Sequence, residues 1–138
     1  DIIMGQRAYS QVIEKLRRAG MRPTSQRLGL AKILFGDGHR HVTAESLYAE
    51  ARDSFIPISL ATVYNSLNQF TKSGLLREII VDSQRCYFDT NTSDHHHFFC
   101  ERTNTLEDIA CDAVILSKLP VAPEGKSITR VDVILRIS

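Results

Sequence analysis

Apolar residues recur at helical spacing through the first half of the chain, then at strand spacing through the second. Val12, Ile13 and Leu16 predict a first helix over residues 9–19, ended by Gly20, with Arg22-Pro23 blocking continuation. Thr24 or Ser25 caps a second helix that carries Leu28, Leu30, Ile33 and Leu34 and stops at Gly36-Asp37-Gly38. Thr43-Ala44-Glu45-Ser46 opens a third, containing Leu47, Tyr48 and Ala51. A fourth runs from about Ser59 to Ser73, and Gly74 follows it. Two short apolar runs, 75–81 and 85–89, flank Asp82-Ser83-Gln84 and read as a β-hairpin. Helices followed by a hairpin is the winged-helix order.

Beyond this the pattern predicts a strand at 95–100, a turn at 102–105 and a strand at 106–109. A short helix is expected around 112–117, and a final strand rich in β-branched residues at 128–137, after Pro120 and Pro123. The fold class is therefore α+β, with a boundary near residues 89–94: an N-terminal winged helix-turn-helix domain (1–89) and a small C-terminal α/β domain (90–138). The second piece is too small to build much core alone, so pairing with a second copy, a homodimer, is expected.

Composition narrows the classes. With 43% hydrophobic and 24% charged residues the chain reads as an ordinary soluble globular protein, and no apolar run is long enough to span a bilayer. No membrane partner is expected. DIIMGQRAYS lacks the basic and apolar regions of a signal peptide, and because the chain does not begin with methionine its natural first residues are expected to be missing. Cys86, Cys100 and Cys111 are odd in number and form no C-x-x-C pair, which favours reduced thiols in the cytoplasm. The net charge of +1 hides a split: residues 1–80 hold 11 Lys/Arg against 7 Asp/Glu, residues 81–138 hold 6 against 9. A basic half joined to an acidic half suggests two jobs.

The fourth helix supplies the first job. Leu60, Val63, Leu67 and Phe70 form one stripe, and Ala61, Thr62, Asn65, Ser66 and Gln69 lie opposite, with Tyr64 at the edge. Small and amide side chains suit a major groove, where Asn and Gln can bind adenine and a methyl can meet thymine. The helix has no Lys or Arg before Lys72, so phosphate attraction must come from Arg17, Arg18, Arg22, Arg27 and Lys32. The candidate DNA-contacting set is Arg17, Arg22, Arg27, Ser59, Ala61, Thr62, Tyr64 and Asn65. A plain amphipathic surface helix would show the same pattern.

The histidines supply the second. All five sit in two patches, His39 with His41 and the run His95-His96-His97. On a strand, His95 and His97 share a face and His96 takes the other. Asp89, Asp94, Glu107 and Asp108 are near in sequence, and mixed nitrogen and oxygen donors fit Fe(II), Mn(II) or Zn(II). Haem is a second option, with an imidazole as axial ligand and Phe98, Phe99 and Tyr87 as apolar contacts; no Cys-Pro dipeptide is present. A solvated histidine run in a loop is the bland reading.

Taken together, GMRPTSQRLGLAKIL, HRHVTAESLYAEA and SLATVYNSLNQFTKSGLL resemble the DNA-binding domain of the ferric uptake regulator family, and the resemblance extends from about Tyr9 to Ile137. It implies a dimeric, cytoplasmic, non-enzymatic regulator that binds a double-stranded operator. It also implies a regulatory divalent-metal site made of His41, Asp89, His95, His97 and Asp108, clamping the hinge between the domains. The family's two C-x-x-C pairs are missing: the first reads Cys100-Glu101-Arg102-Thr103, so no structural zinc held by four cysteines is expected. That loss, with the unbroken histidine run, resembles the iron response regulator branch of alphaproteobacteria. The branch implies control of iron and haem metabolism genes, haem bound at His95, His96 and His97, and a haem-synthesis enzyme as the haem-delivering partner. Asn65 stands where the family often has a basic residue, so a different operator is expected. The alternatives are a peroxide sensor or metal-uptake repressor of the same family, and a small metalloenzyme using His95, His97 and Asp108. For the last, no separate nucleophile is apparent.

Overall fold

Each helix begins and ends where its local chemistry allows. The computed structural model describes the backbone of residues 2–138 and the side chains of residues 9–138; most of the DIIMGQRAYS stretch lies outside the described side chains. Helix α1 is Ile2–Arg18. Gly20 takes the left-handed conformation at φ 74°, and the Gly20 and Met21 amides donate back to the Arg17 and Leu16 carbonyls. Helix α2, Ser25–Phe35, is capped by the Thr24 hydroxyl, which accepts from the Arg27 amide. Helix α3, Ala44–Asp53, opens with a reciprocal capping box between Thr43 and Ser46. Helix α4, Leu60–Lys72, is capped by Ser59, whose hydroxyl accepts from the Thr62 amide.

The chain divides into two compact units, residues 1–92 and 93–138. In the first, Leu16, Leu30, Leu34, Leu47, Val63, Leu67 and Phe70 meet in a core closed to solvent. Strands β1 (His41–Val42), β2 (Arg77–Ile80) and β3 (Cys86–Asp89) form an antiparallel sheet in the order β1-β3-β2. The expected hairpin is β2–β3. Strand β1 was not expected: two residues carry no periodicity of their own, and only pairing with β3 defines them.

On α4 the apolar stripe holds for Val63, Leu67 and Phe70, whereas Leu60 is half-buried. Ser66, expected on the polar face, is buried, because it follows Val63 by three residues and precedes Phe70 by four.

The second unit is a three-stranded sheet in the order β5-β4-β6, with β4 (His96–Cys100) antiparallel to β5 (Thr105–Ile109) and parallel to β6 (Ile134–Ile137). The helix expected at 112–117 is a single 3-10 turn, Cys111–Ala113. The strand expected over 128–137 is only Ile134–Ile137, because β4 offers pairing positions no further back than His97 opposite Ile134. β-branched residues cannot extend a ladder that has no partner.

Candidate metal centre and DNA-binding face

Two sets of His and Asp side chains form within these sheets, one per unit. In the first unit, ladder register places His41 directly opposite Asp89. His41 Nε2 lies 3.0 Å from Asp89 Oδ2. Asp89 is completely buried, and its other oxygen accepts from the Asn91 amide at 2.8 Å. A buried carboxylate with one oxygen turned to an imidazole and the other held by backbone is fixed in place rather than a solvated surface charge.

In the second unit, β4–β5 register sets His97 opposite Asp108. His95 precedes His97 by two residues and lies on the same side, its ring centroid 4.5 Å from that of His97. Asp108 Oδ1 is 3.2 Å from His95 Nε2 and 3.3 Å from His97 Nε2. One ligand atom from each of the three residues lies within 4.8 Å of the others. Both imidazoles are buried, at 5% and 1% exposure.

The tautomer of His95 decides what this set can do. Its Nδ1 sits 2.7 Å from the Ser93 carbonyl oxygen, which can only accept, so Nδ1 carries the proton. In the neutral ring Nε2 is then an acceptor, and it faces a carboxylate oxygen. Two acceptors in contact need a cation between them: a second ring proton, or a metal ion. The backbone carbonyl on Nδ1 is also the outer partner that orients metal-bound histidines. The donor set therefore fits a divalent metal of the nitrogen-and-oxygen class.

The remaining residues of the histidine run are arranged differently. His96 points to the other face, where its Nδ1 accepts from the Val133 amide at 3.1 Å. That bond leaves the neutral ring's proton on Nε2, so neither nitrogen offers iron a lone pair in this arrangement. Phe99 is fully buried while its neighbour Phe98 is half-exposed, so the pair does not line one haem-facing surface. Tyr87 lies on β3 of the first unit, largely buried. His39, Asp94 and Glu107 are exposed and stand outside these His–Asp sets. Glu101-Arg102-Thr103 forms the turn after β4, and hydrogen bonds from Thr103 hold the Cys100 thiol below its ordinary pKa.

The candidate DNA residues all lie in the first unit. Arg17 and Arg22 are exposed. Arg27 donates to the Arg22 carbonyl at 2.9 Å and to Gln69 Oε1 at 3.0 Å, both neutral acceptors, tying α2 to α4. Ser59 caps α4 and shares a 2.9 Å hydroxyl contact with Thr62. Ala61, Tyr64 and Asn65 are exposed on α4. Tyr64 donates its hydroxyl to Glu45 Oε1 at 2.5 Å, and that carboxylate raises the phenol's pKa. Beside them, Glu78, Arg85, Cys86 and Asn68 line a cavity of about 410 Å³. Burial and then the Glu78 carboxylate push the Cys86 thiol up to about 12.

Sequence reasoning missed Arg40 and Glu45. Arg40 was hidden because nothing in the sequence says that a residue beside a histidine pairs with a glutamate ten positions on. Glu45 was absorbed into the helix start.

A winged-helix unit followed by a small sheet unit, each holding a His–Asp set, defines a class of two-unit α+β proteins rather than a single activity. The chain belongs to the Ferric uptake regulator family, whose model matches residues 18–135. Members of that family are transcription regulators, not enzymes. The ferric uptake regulator of Vibrio cholerae is similar in fold, with a TM-score of 0.71 at 24% identity over 90% of this chain and 96% of that one. PerR from Streptococcus pyogenes, a peroxide sensor and gene regulator, superposes with a TM-score of 0.50 at 26% identity over 94% of this chain and 88% of the other. In sequence, the peroxide-responsive repressor PerR of Staphylococcus epidermidis is 36% identical over 96 residues, 70% of this chain. The chain spans only 63% of that relative's length. Among the described residues no helix is long and apolar enough to cross a membrane.

Proposed function

We propose that this chain is a metal-responsive, DNA-binding transcription repressor acting as a homodimer. His41, Asp89, His95, His97 and Asp108 serve one divalent ion, Mn(II), Fe(II) or Zn(II). The observation that carries the reading is His95: its Nδ1 is turned to the Ser93 carbonyl, and its Nε2 lies 3.2 Å from Asp108 Oδ1. When bound, the ion supplies a charge that joins ligands otherwise at odds. The protein's own residues hold the donors in register and exclude water from Asp89, His95 and His97. The α4 surface of Ser59, Ala61, Thr62, Tyr64 and Asn65 reads base edges, and Arg17, Arg22 and Arg27 carry the phosphate attraction. Exposed Ile115, Val121, Leu135 and Ile137 on a unit this small support a second copy as its cover. The division into residues 1–92 and 93–138, a few residues beyond the expected 89/90 boundary, then separates DNA reading from dimerisation.

The test is fluorescence anisotropy of a labelled duplex, selected by the protein from a randomised pool, with metal-stripped protein titrated first with Mn(II) and then with haem. Tightening with Mn(II), lost in His95→Ala/His97→Ala while the fold persists, supports the proposal. An unchanged response in that variant refutes the ligand set. The iron and haem reading, with His95, His96 and His97 as haem ligands and a haem-delivering enzyme as partner, requires instead that haem reverse binding and that His96→Ala abolish the reversal. A peroxide response, as the similarity to PerR suggests, would appear as an oxidised ligand histidine in the mass spectrum after Fe(II) and peroxide.

A further inference from the structure

One side chain in the first unit joins three elements at the point where the His41–Asp89 pair is made. Arg40 immediately precedes His41, and Thr90 immediately follows Asp89. The Arg40 amide donates to Thr90 Oγ1 at 2.9 Å, and the Thr90 amide donates back to the Arg40 carbonyl at 3.1 Å. These two bonds lock the ladder one residue beyond the ligand pair. The guanidinium reaches the other way, donating to both Glu50 oxygens of α3 at 2.9 and 2.7 Å. It also donates to the Ile33 carbonyl at 3.3 Å. Ile33 lies in the last turn of α2, where carbonyls have no helical partner and a cation meets the negative end of the helix dipole.

We infer that Arg40 is a positioning residue for the metal ligands, a strut that fixes His41 on Asp89 by anchoring its strand to α2 and α3. The inference rests on the metal reading proposed above. A two-residue strand cannot hold an imidazole in place alone: β1 pairs on one side only. A fork-to-fork Arg–carboxylate contact is directional, so it fixes the backbone of Arg40, and with it the Cα of His41, in a way that a point charge would not. The strut also ties the ligand strand to the helix that precedes α4, so the ligands cannot shift without moving α3.

The experiment uses the full chain. Mn(II) affinity is measured by calorimetry for wild type, Arg40→Gln, Glu50→Gln and the double variant, with thermal melting of the metal-free proteins alongside. Removing a group bonded to a metal ligand weakens binding by about 10- to 100-fold. Arg40 acts one step further out, through its backbone, so the low end, about tenfold, is expected in each single variant. Both variants sever the Arg40–Glu50 link and Arg40→Gln also gives up the Ile33 carbonyl, so the double variant is expected to lose no more than Arg40→Gln alone. A merely structural role would show Mn(II) losses that track the melting temperatures, whereas a positioning role weakens Mn(II) binding beyond what the melting temperatures account for. Arg40→Lys keeps the charge but not the fork, and serves if Arg40→Gln folds poorly; it too is expected to bind Mn(II) more weakly. Wild-type binding with variants that lose less than about twofold would overturn the inference alone, against the tenfold expected. A wild type that binds no Mn(II) would overturn the metal reading with it.

Discussion

Phe55 offers a quantitative test of how the turn between α3 and α4 is built. Its φ is 58°, in the left-handed region that favours glycine. The backbone reason is visible: the Phe55 amide donates to the Arg52 carbonyl and the Ile56 amide to the Ala51 carbonyl, the pattern that ends a helix on a left-handed residue. The side chain gives nothing in return, being 92% exposed. Placing an L-residue there costs about 1–2 kcal/mol. Phe55→Gly removes that strain but adds unfolded-chain entropy of about 0.5–1 kcal/mol. The net expectation is a stabilisation of roughly 0.5–1 kcal/mol, or a few degrees in melting temperature for a unit of this size. Phe55→Ala keeps the Cβ and so the strain, and should be nearly neutral. The assay is urea unfolding of the metal-free protein followed by far-ultraviolet circular dichroism, since all four described α-helices lie in the first unit. Equal effects of Gly and Ala, or a loss of stability with Gly, would refute the strain argument and show that the ring is packed in solution.

Other consequences are simpler to check. The Arg85 guanidinium first, and then the Gln84 and Arg85 amides, donate to Asp82 and hold its carboxyl at about 2, below its usual 3.8. The hairpin turn should therefore be ordered above pH 4 and loosen only as the pH falls toward 2, read as loss of protection at the Gln84 and Arg85 amides; loosening already near pH 5 would contradict it. Hydrogen bonds from Thr103 favour the Cys100 thiolate, whereas burial and Glu78 disfavour that of Cys86. Iodoacetamide at neutral pH should label Cys100 well before Cys86 in peptide mapping, and the reverse order would refute it. Thr43→Ala removes one arm of the capping box on α3 and should cost about 1 kcal/mol in the same urea assay.

Much of the first unit was legible in the sequence because its signals are local. Thr24, Thr43 and Ser59 each cap a helix with their own hydroxyl, and Gly20 ends one through its own backbone. The second unit was less legible because its structure is set by pairing. Residues 128–132 look like strand in composition, yet the pairing with β4 begins only beyond them. The alternation of His95, His96 and His97 was readable from strand geometry alone. That Ser93 fixes the His95 tautomer, or that Val133 takes up His96, depends on loop backbone that no periodicity announces.

The order of the strands in the second sheet has a temporal meaning. Strand β4, which carries His97, is flanked by β5 from just downstream and by β6 from residues 134–137. The His97 amide is satisfied by the Val133 carbonyl, and the His96 ring by the Val133 amide. During synthesis Val133 emerges long after the histidines it completes, as the sequence positions show. The nascent chain can fold its helices early, but its central strand stays half-paired until β6 is made. A chain that stops before that point lacks β6 and leaves one edge of β4 without the strand that pairs there.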